Sequence, residues 1–315
     1  MHLSRTGCVT YGKARMLRWR FILGVTFAAI IIGLCWLDAH SAQPGAWLAP
    51  LLLLIAVVAS DELLRMARGV APGTLTSMVC VGSLVIVGAS FIPHFWPAEL
   101  GSPAAALGAW GWTALAIGAA TLLIFAVEMI RYTAPGVHTQ RLALSALAFL
   151  YVGVLTSFLA QLRFVGPGRN MGLVALISMT VVVKFADIGA YTVGRLIGRH
   201  KMAPTLSPGK TLEGAAGAMV FACFGAWLSL NVLAGPIAGE ALAAVDAWRW
   251  IAYGLVVGIA GLAGDLAESL IKRDLGRKDS SDWMPGFGGV LDLVDSILFA
   301  APVAYACWQF GLCRM

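Results

Sequence analysis

Runs of close to 20 apolar residues recur along nearly the whole chain, and no other feature limits the fold as strongly. A helix of about 20 residues crosses the hydrocarbon core of a bilayer while satisfying its backbone hydrogen bonds internally. Nine such stretches can be read, at about 21–38, 46–60, 77–94, 106–128, 142–161, 171–193, 213–234, 250–271 and 290–311. The expected fold class is therefore an all-α polytopic membrane protein of about nine transmembrane helices. A soluble fold would lack the polar residues to cover itself, because only 12% of the chain is charged against roughly 25% in soluble domains.

The first stretch, Phe21 to Leu37, follows Arg5, Lys13, Arg15, Arg18 and Arg20. No small-residue cleavage site comes after it, so it is expected to stay as a span and not to leave as a signal peptide. Basic residues set the orientation. With the N-terminus in the cytoplasm, that terminus and the loops 61–76, 129–141, 194–212 and 272–289 hold 17 of the 22 Lys and Arg residues. The net charge of +6 is thus topology, not a nucleic-acid surface. The expected organisation is a basic cytoplasmic N-terminus over 1–20, a five-span region over 21–161 and a four-span catalytic region over 162–315. The expected location is the cytoplasmic (inner) membrane, with the active site facing the cytoplasm.

The six cysteines form no CxxC pair and indicate neither a disulfide framework nor a zinc site. Gly254, Gly258, Gly261 and Gly264 step along the eighth span at spacings that suit close helix packing. Asp61, Glu62 and Glu128 flank spans singly and read as solvated or salt-bridged carboxylates.

Charged side chains within spans are costly and point to function. Lys184 and Asp187, Asp265 and Glu268, and Asp292 and Asp295 form three pairs, each spaced three apart and therefore sharing a helix face. All three pairs fall toward the cytoplasmic ends of the sixth, eighth and ninth spans. Five acids converging there would repel one another unless cations intervene, and hard oxygen ligands suit Mg²⁺. Asp187, Asp265, Glu268, Asp292 and Asp295 are the candidate metal ligands. The plainer alternative is a set of salt bridges with Lys184, Lys272 and Arg273.

Two loops carry further chemistry. The segment from Gly194-Arg195 to Ser207-Pro208-Gly209-Lys210-Thr211-Leu212-Glu213-Gly214 combines cations and glycines and leads directly into a helix. Thr211 is a candidate N-cap, and a helix N-terminus beside Lys210 favours phosphate. It is not a Walker A loop, because Pro204 stands where the first glycine belongs and no strand is expected before it. The segment 269–296 places Lys272, Arg273, Arg277 and Lys278 before a glycine-rich turn and two carboxylates after it. Gly288 and Gly289 are expected to let backbone amides approach an anion.

Segment 269–295 resembles the signature of the phosphatidate cytidylyltransferases, the CDP-diacylglycerol synthases. So do Asp187-x-x-Ala190-Tyr191-x-x-Gly194-Arg195 through Glu213-Gly214, and Gly264-Asp265-x-x-Glu268-Ser269. Three positions depart from the pattern: Phe287 replaces a histidine, Leu293 an arginine, and Met284 a Leu, Ile or Phe. The resemblance implies transfer of the cytidylyl group of CTP to phosphatidate, with Mg²⁺ as two divalent ions or as one beside a monovalent cation, and a homodimer. It implies catalytic roles for Asp265, Asp292, Asp295 and Lys272. Substrate binding would fall to Arg195, Ser207, Lys210, Thr211, Arg273, Lys278, Gly288 and Gly289.

The chemistry needs no serine–histidine nucleophile, since a phosphomonoester is mostly dianionic near neutral pH, its second pKa being about 6. The competing readings are a CTP-dependent lipid kinase, an ion-conducting transporter and an inactive scaffold. A CDP-alcohol phosphotransferase is disfavoured because Ser296 stands after Asp295 where that pattern needs glycine.

Overall fold

A computed structural model describes residues 24–96, 103–281, 283 and 288–313. The basic N-terminal stretch, Cys8, Met284, Phe287 and Arg314 lie outside the described residues. Among the described residues there are nine principal helices, and each expected span falls on one of them. They are α1 (Gly24–His40), α2 (Leu48–Met66), α3 (Thr76–Ala89), α4 (Ala105–Ile130), α5 (His138–Leu162), α6 (Met171–Ile197), α7 (Leu212–Ala238), α8 (Ala247–Asp274) and α9 (Val290–Gln309).

Six of them, α4 to α9, are long and apolar enough to cross a membrane. Helices α1 and α3 are apolar but shorter, and α2 carries Asp61, Glu62 and Arg65 in its last turns. The chain is thus a helical membrane protein.

One difference from the expected layout lies between α6 and α7. There the chain forms an antiparallel hairpin of β1 (Lys201–Ala203) and β2 (Ser207–Thr211), with Lys201 opposite Thr211 and Ala203 opposite Ser207. Its local composition, Ser-Pro-Gly-Lys-Thr, has little strand propensity. Tertiary anchors hold it instead. Glu213 on α7 accepts the amides of Arg199 and His200 at 3.0 and 3.2 Å and the His200 ring at 2.6 Å. Thr211 Oγ1 accepts the Gly214 amide at 3.1 Å and caps α7 as expected.

The apolar core is continuous, running from Ala49 on α2 to Cys313 beyond α9. Glycines bring helices into backbone contact where α6, α7, α8 and α9 cross. A Cβ on Gly189 of α6 would stand 2.6 Å from the Gly217 carbonyl of α7. On α8 the expected packing role is seen: Gly254 and Gly258 face α7, Gly261 faces Val183 of α6, and Gly264 faces α9. At the bundle end opposite the hairpin, Asp38 and Arg163 form a buried pair at 2.5 Å, joining the ends of α1 and α5.

Candidate active site

Gly264 decides where the charged pairs meet. A Cβ there would lie 2.7 Å from the Asp295 carbonyl, so α8 and α9 touch main chain to main chain at this level. Asp265 and Glu268 on α8 are thereby set beside Asp292 and Asp295 on α9. A second close approach, α6 on α7, brings Asp187 and the hairpin to the same end of the bundle.

Lys272 is the centre of the more buried half. Its ammonium lies 2.6 Å from Glu268 and 2.5 Å from Asp292. Glu268 is 1% exposed, and its Oε1 has no hydrogen-bond partner. Asp295 and Asp292 both lie within electrostatic reach of Glu268, so the buried acids repel one another except where Lys272 intervenes.

The more open half contains Lys210, 2.8 Å from Asp265, and Lys184, 3.3 Å from Asp187. Asp187 lies within electrostatic reach of Asp265 and Lys210, and Asp295 within reach of Asp265 and Lys184. Asp295 therefore joins the two halves. Three lysines, Lys184, Lys210 and Lys272, stand against these acids. Among the described residues no three His, Cys, Asp or Glu side chains group closely enough to hold a metal ion.

Two of the predicted site residues, Asp292 and Gly289, meet each other. Asp292 Oδ2 accepts the Ser280 amide at 2.9 Å, the Ser280 hydroxyl at 2.6 Å and the Gly289 amide at 2.8 Å, while Oδ1 holds Lys272. Both oxygens are thus engaged within the protein, and Asp292 organises the loop before α9. The anion that the Gly289 amide meets in this structure is this carboxylate. Gly288 has a φ of +82°, and a side chain there would strike Asp292.

The remaining basic residues line the approach. Arg273 Nε donates to the Leu206 carbonyl at 3.3 Å, tying α8 to the hairpin beside Ser207. Lys278 is exposed. Arg195 is exposed on α6, donating to the Tyr191 hydroxyl at 2.6 Å. Thr211, spent on capping, is buried.

The sequence pattern of the cytidylyltransferase family matches residues 13–310. This chain belongs to the cytidylyltransferase family. It is similar to the phosphatidate cytidylyltransferase of Mycobacterium bovis, 29% identical over 95% of this chain and 89% of that one. The enzyme of the same name from Synechocystis is 31% identical over 76% of this chain and 80% of its own. It is also 37% identical to the uncharacterized protein YnbB of Escherichia coli, over 44% of each chain.

This cytidylyltransferase has two site residues in its N-terminal half that sequence reasoning missed. Glu62, 3% exposed, accepts the Ser280 hydroxyl at 3.1 Å, the Trp283 indole N–H at 2.9 Å, and the Val290 and Leu291 amides at 3.0 and 2.9 Å. It thus fastens both the loop and the N-terminus of α9 to α2, where a carboxylate also complements the helix dipole. A side chain on Gly289 would collide with it.

Tyr151 sits on a π-helical turn, Phe149–Val154, within α5. Such turns often mark functional positions. Its ring stacks edge-on against Phe299 of α9 at 5.8 Å, and its buried hydroxyl has no hydrogen-bond partner. Glu268, Asp295, Asp265 and Asp292 all lie within its electrostatic reach. The π-turn leaves no clear trace in the residue pattern.

Proposed function

We propose that this protein transfers the cytidylyl group of CTP to phosphatidate, yielding CDP-diacylglycerol and pyrophosphate. The observation that carries this reading is the similarity to phosphatidate cytidylyltransferases along 95% of the chain, through both the charged cluster and the helices that hold it. In the reaction a phosphate oxygen of phosphatidate bonds to the α-phosphorus of CTP, and the bond from that phosphorus to the bridging oxygen breaks. The electron pair leaves with pyrophosphate.

The chief obstacle is the approach of two polyanions. Lys210 and Arg273, at the hairpin and the end of α8, bind and orient the triphosphate. Lys272 holds Glu268 and Asp292 in place and keeps the buried acids from repelling one another. Lys278 and Arg195 attract anions from the cytoplasmic side. Asp292 orders the turn through Ser280 and Gly289.

The donor set, carboxylate oxygens alone, fits Mg²⁺, and Glu268 Oε1 is a buried acceptor without a partner. Since no three of the described carboxylates group closely, one or two of Asp265, Asp295, Asp187 and Glu268 would hold the ion together with phosphate oxygens of the substrate, with Asp292 retained by the loop. Bound there, Mg²⁺ supplies electrostatic stabilisation of charge on the phosphoryl oxygens. Nine membrane passages, an inner-membrane location, a cytoplasmic site and a homodimer belong to the same reading.

The test uses purified protein in detergent micelles containing phosphatidate, with CTP labelled on cytosine. Cytosine label in the lipid fraction, pyrophosphate in equal amount, and loss of both with EDTA are expected. Labelled CDP left in water, with phosphate gained by a lipid alcohol, would establish a lipid kinase instead. Size measurement in the same micelles tests the dimer.

A further inference from the structure

Trp283 is 59% exposed on the loop between α8 and α9, at the end of the bundle that carries the charged cluster. Its indole N–H does not face outward. It donates to Glu62 Oε1 at 2.9 Å, and Glu62 is 3% exposed. A tryptophan in a membrane-interface belt is placed the other way, its ring in hydrocarbon and its polar edge toward water. Here the one polar atom of the side chain is turned inward, and the ring is what the loop presents outside. Leaving so large an apolar ring uncovered forgoes the gain of burial, yet a buried carboxylate fixes it in that position.

The ring is also unmatched. Among the described residues no second aromatic ring and no cation lies against it. Tyr132 and Tyr191, exposed toward the same end, are matched: Tyr132 lies against His138 with ring centres 5.1 Å apart, and the Arg195 guanidinium stands 5.8 Å from the Tyr191 ring centre. Trp283, Glu62, Ser280, Asp292 and Lys272 form an unbroken chain of contacts, at 2.9, 3.1, 2.6 and 2.5 Å. The indole is therefore fixed in place relative to the cluster. Arg277 and Lys278, both exposed, precede it in the same loop, and the Arg277 amide donates to the Lys272 carbonyl at 2.7 Å, folding the loop back over the end of α8. An apolar plate beside a group of cations is the complement of a nucleotide, an aromatic base joined to a chain of phosphates.

We propose that the Trp283 ring is the platform on which the pyrimidine base of the nucleoside triphosphate stacks, while Lys210 and Arg273 hold its phosphates. The proposal deepens the functional reading above and rests on it for the identity of the nucleotide. Stacking uses the π-face that every base has, so it adds affinity without choosing among bases. Glu62 fixes the indole by its N–H edge, which keeps the ring from turning away and reduces the ordering that nucleotide binding requires. Trp283 is a binding residue and takes no part in the transfer itself.

The experiment measures binding of CTP and of inorganic tripolyphosphate, both with Mg²⁺ and without lipid substrate, to the purified full chain in micelles and to its Trp283→Phe and Trp283→Ala variants. Trp283→Ala is expected to weaken CTP binding about tenfold or more, the scale of one lost base–aromatic stack. Trp283→Phe keeps an aromatic face but lacks the N–H, so it should stay within about threefold of wild type. Tripolyphosphate, which has no base, should bind all three proteins within about twofold, since uniform loss would mean a damaged site. Wild-type CTP affinity in Trp283→Ala would overturn the proposal. Equal loss in Trp283→Phe and Trp283→Ala would also overturn it, leaving the indole N–H as an anchor for the loop, and so would parallel loss of CTP and tripolyphosphate. No CTP binding by the wild type would overturn this proposal and the functional reading together. Because lipid substrate is absent from the measurement, CTP binding that depends on the Trp283 ring, in a protein that forms no CDP-lipid, would defeat the functional reading and leave the base platform standing.

Discussion

Glu62 accepts the backbone amide of Leu291 at 2.9 Å across 229 positions of sequence. That contact, with its three companions, makes the N-terminal helices part of the active site, because the loop before α9 has its buried anchor on α2. Removing the acceptor leaves two amides and an indole N–H without their partner, at roughly 1–3 kcal/mol for each that stays buried, while the Ser280 hydroxyl keeps Asp292. Glu62→Gln keeps the shape but turns one acceptor into a donor that faces donors. Cytidylyl transfer should fall more than about tenfold in Glu62→Gln while its abundance in membranes stays near wild type. Asp61→Asn, beside it, should be close to neutral, since the partner of Asp61 among the described residues is the exposed Arg65. Equal activity in Glu62→Gln and wild type would remove the anchoring role.

Tyr151→Phe deletes one hydroxyl and keeps the ring against Phe299. If the hydroxyl serves only the fold, its loss should be neutral or stabilising, because the hydroxyl is buried without a partner. If it serves the loaded site, turnover should fall about tenfold with KM for CTP little changed, the pattern of an interaction made in the transition state. We expect the second outcome. Melting temperature measured with and without Mg²⁺ separates the two: a purely structural role moves both melting temperatures alike.

The spans and the charged pairs were legible because hydrophobic length and helical spacing are local properties. The glycines of α8 were legible for the same reason, as was the Thr211 cap. Glu62 was not. It has the same local setting as Asp61, and only a contact more than 200 positions away distinguishes them. Asp292 was legible as a member of the cluster, because its spacing from Asp295 reveals a shared face, but not that Ser280 and Gly289 fold back onto it. The hairpin escaped notice because Glu213 and Arg273, and not strand propensity, hold it. The pairing of Lys184 and Lys272 with these acids was legible as an alternative, because both lie one turn from an acid on the same helix, whereas Lys210 reaches Asp265 only through the fold of the hairpin.

At the far end of the bundle, Asp38→Ala leaves the buried Arg163 guanidinium without its carboxylate. Asp38 also accepts the Gly45 and Trp47 amides, both at 3.1 Å. Breaking a buried pair from one side costs about 3–5 kcal/mol, so folded protein should be much depleted. Activity per folded molecule should be unchanged, because the pair lies away from every group assigned to the chemistry. A lower turnover number in the folded fraction would show that the two ends are coupled.

Asp265 and Asp292 provide the sharpest contrast within the cluster. Both are acids beside a lysine, but Asp265 is 39% exposed with one firm partner, whereas Asp292 has both oxygens occupied. If Asp265 binds Mg²⁺ and Asp292 shapes the loop, their asparagine variants should fail differently. Asp265→Asn should raise the Mg²⁺ concentration for half-maximal activity about tenfold or more, the scale of a lost metal contact, and added Mg²⁺ should restore part of the rate. Asp292→Asn retains one acceptor oxygen but gains an NH₂ group facing Lys272 or the Gly289 amide. It should lower turnover at every Mg²⁺ concentration and make the loop more open to proteolysis near Ser280. Titrating both variants with Mg²⁺ over the same range decides between the roles. Rescue of Asp292→Asn by Mg²⁺, with none for Asp265→Asn, would reverse the assignment and place the ion at the loop.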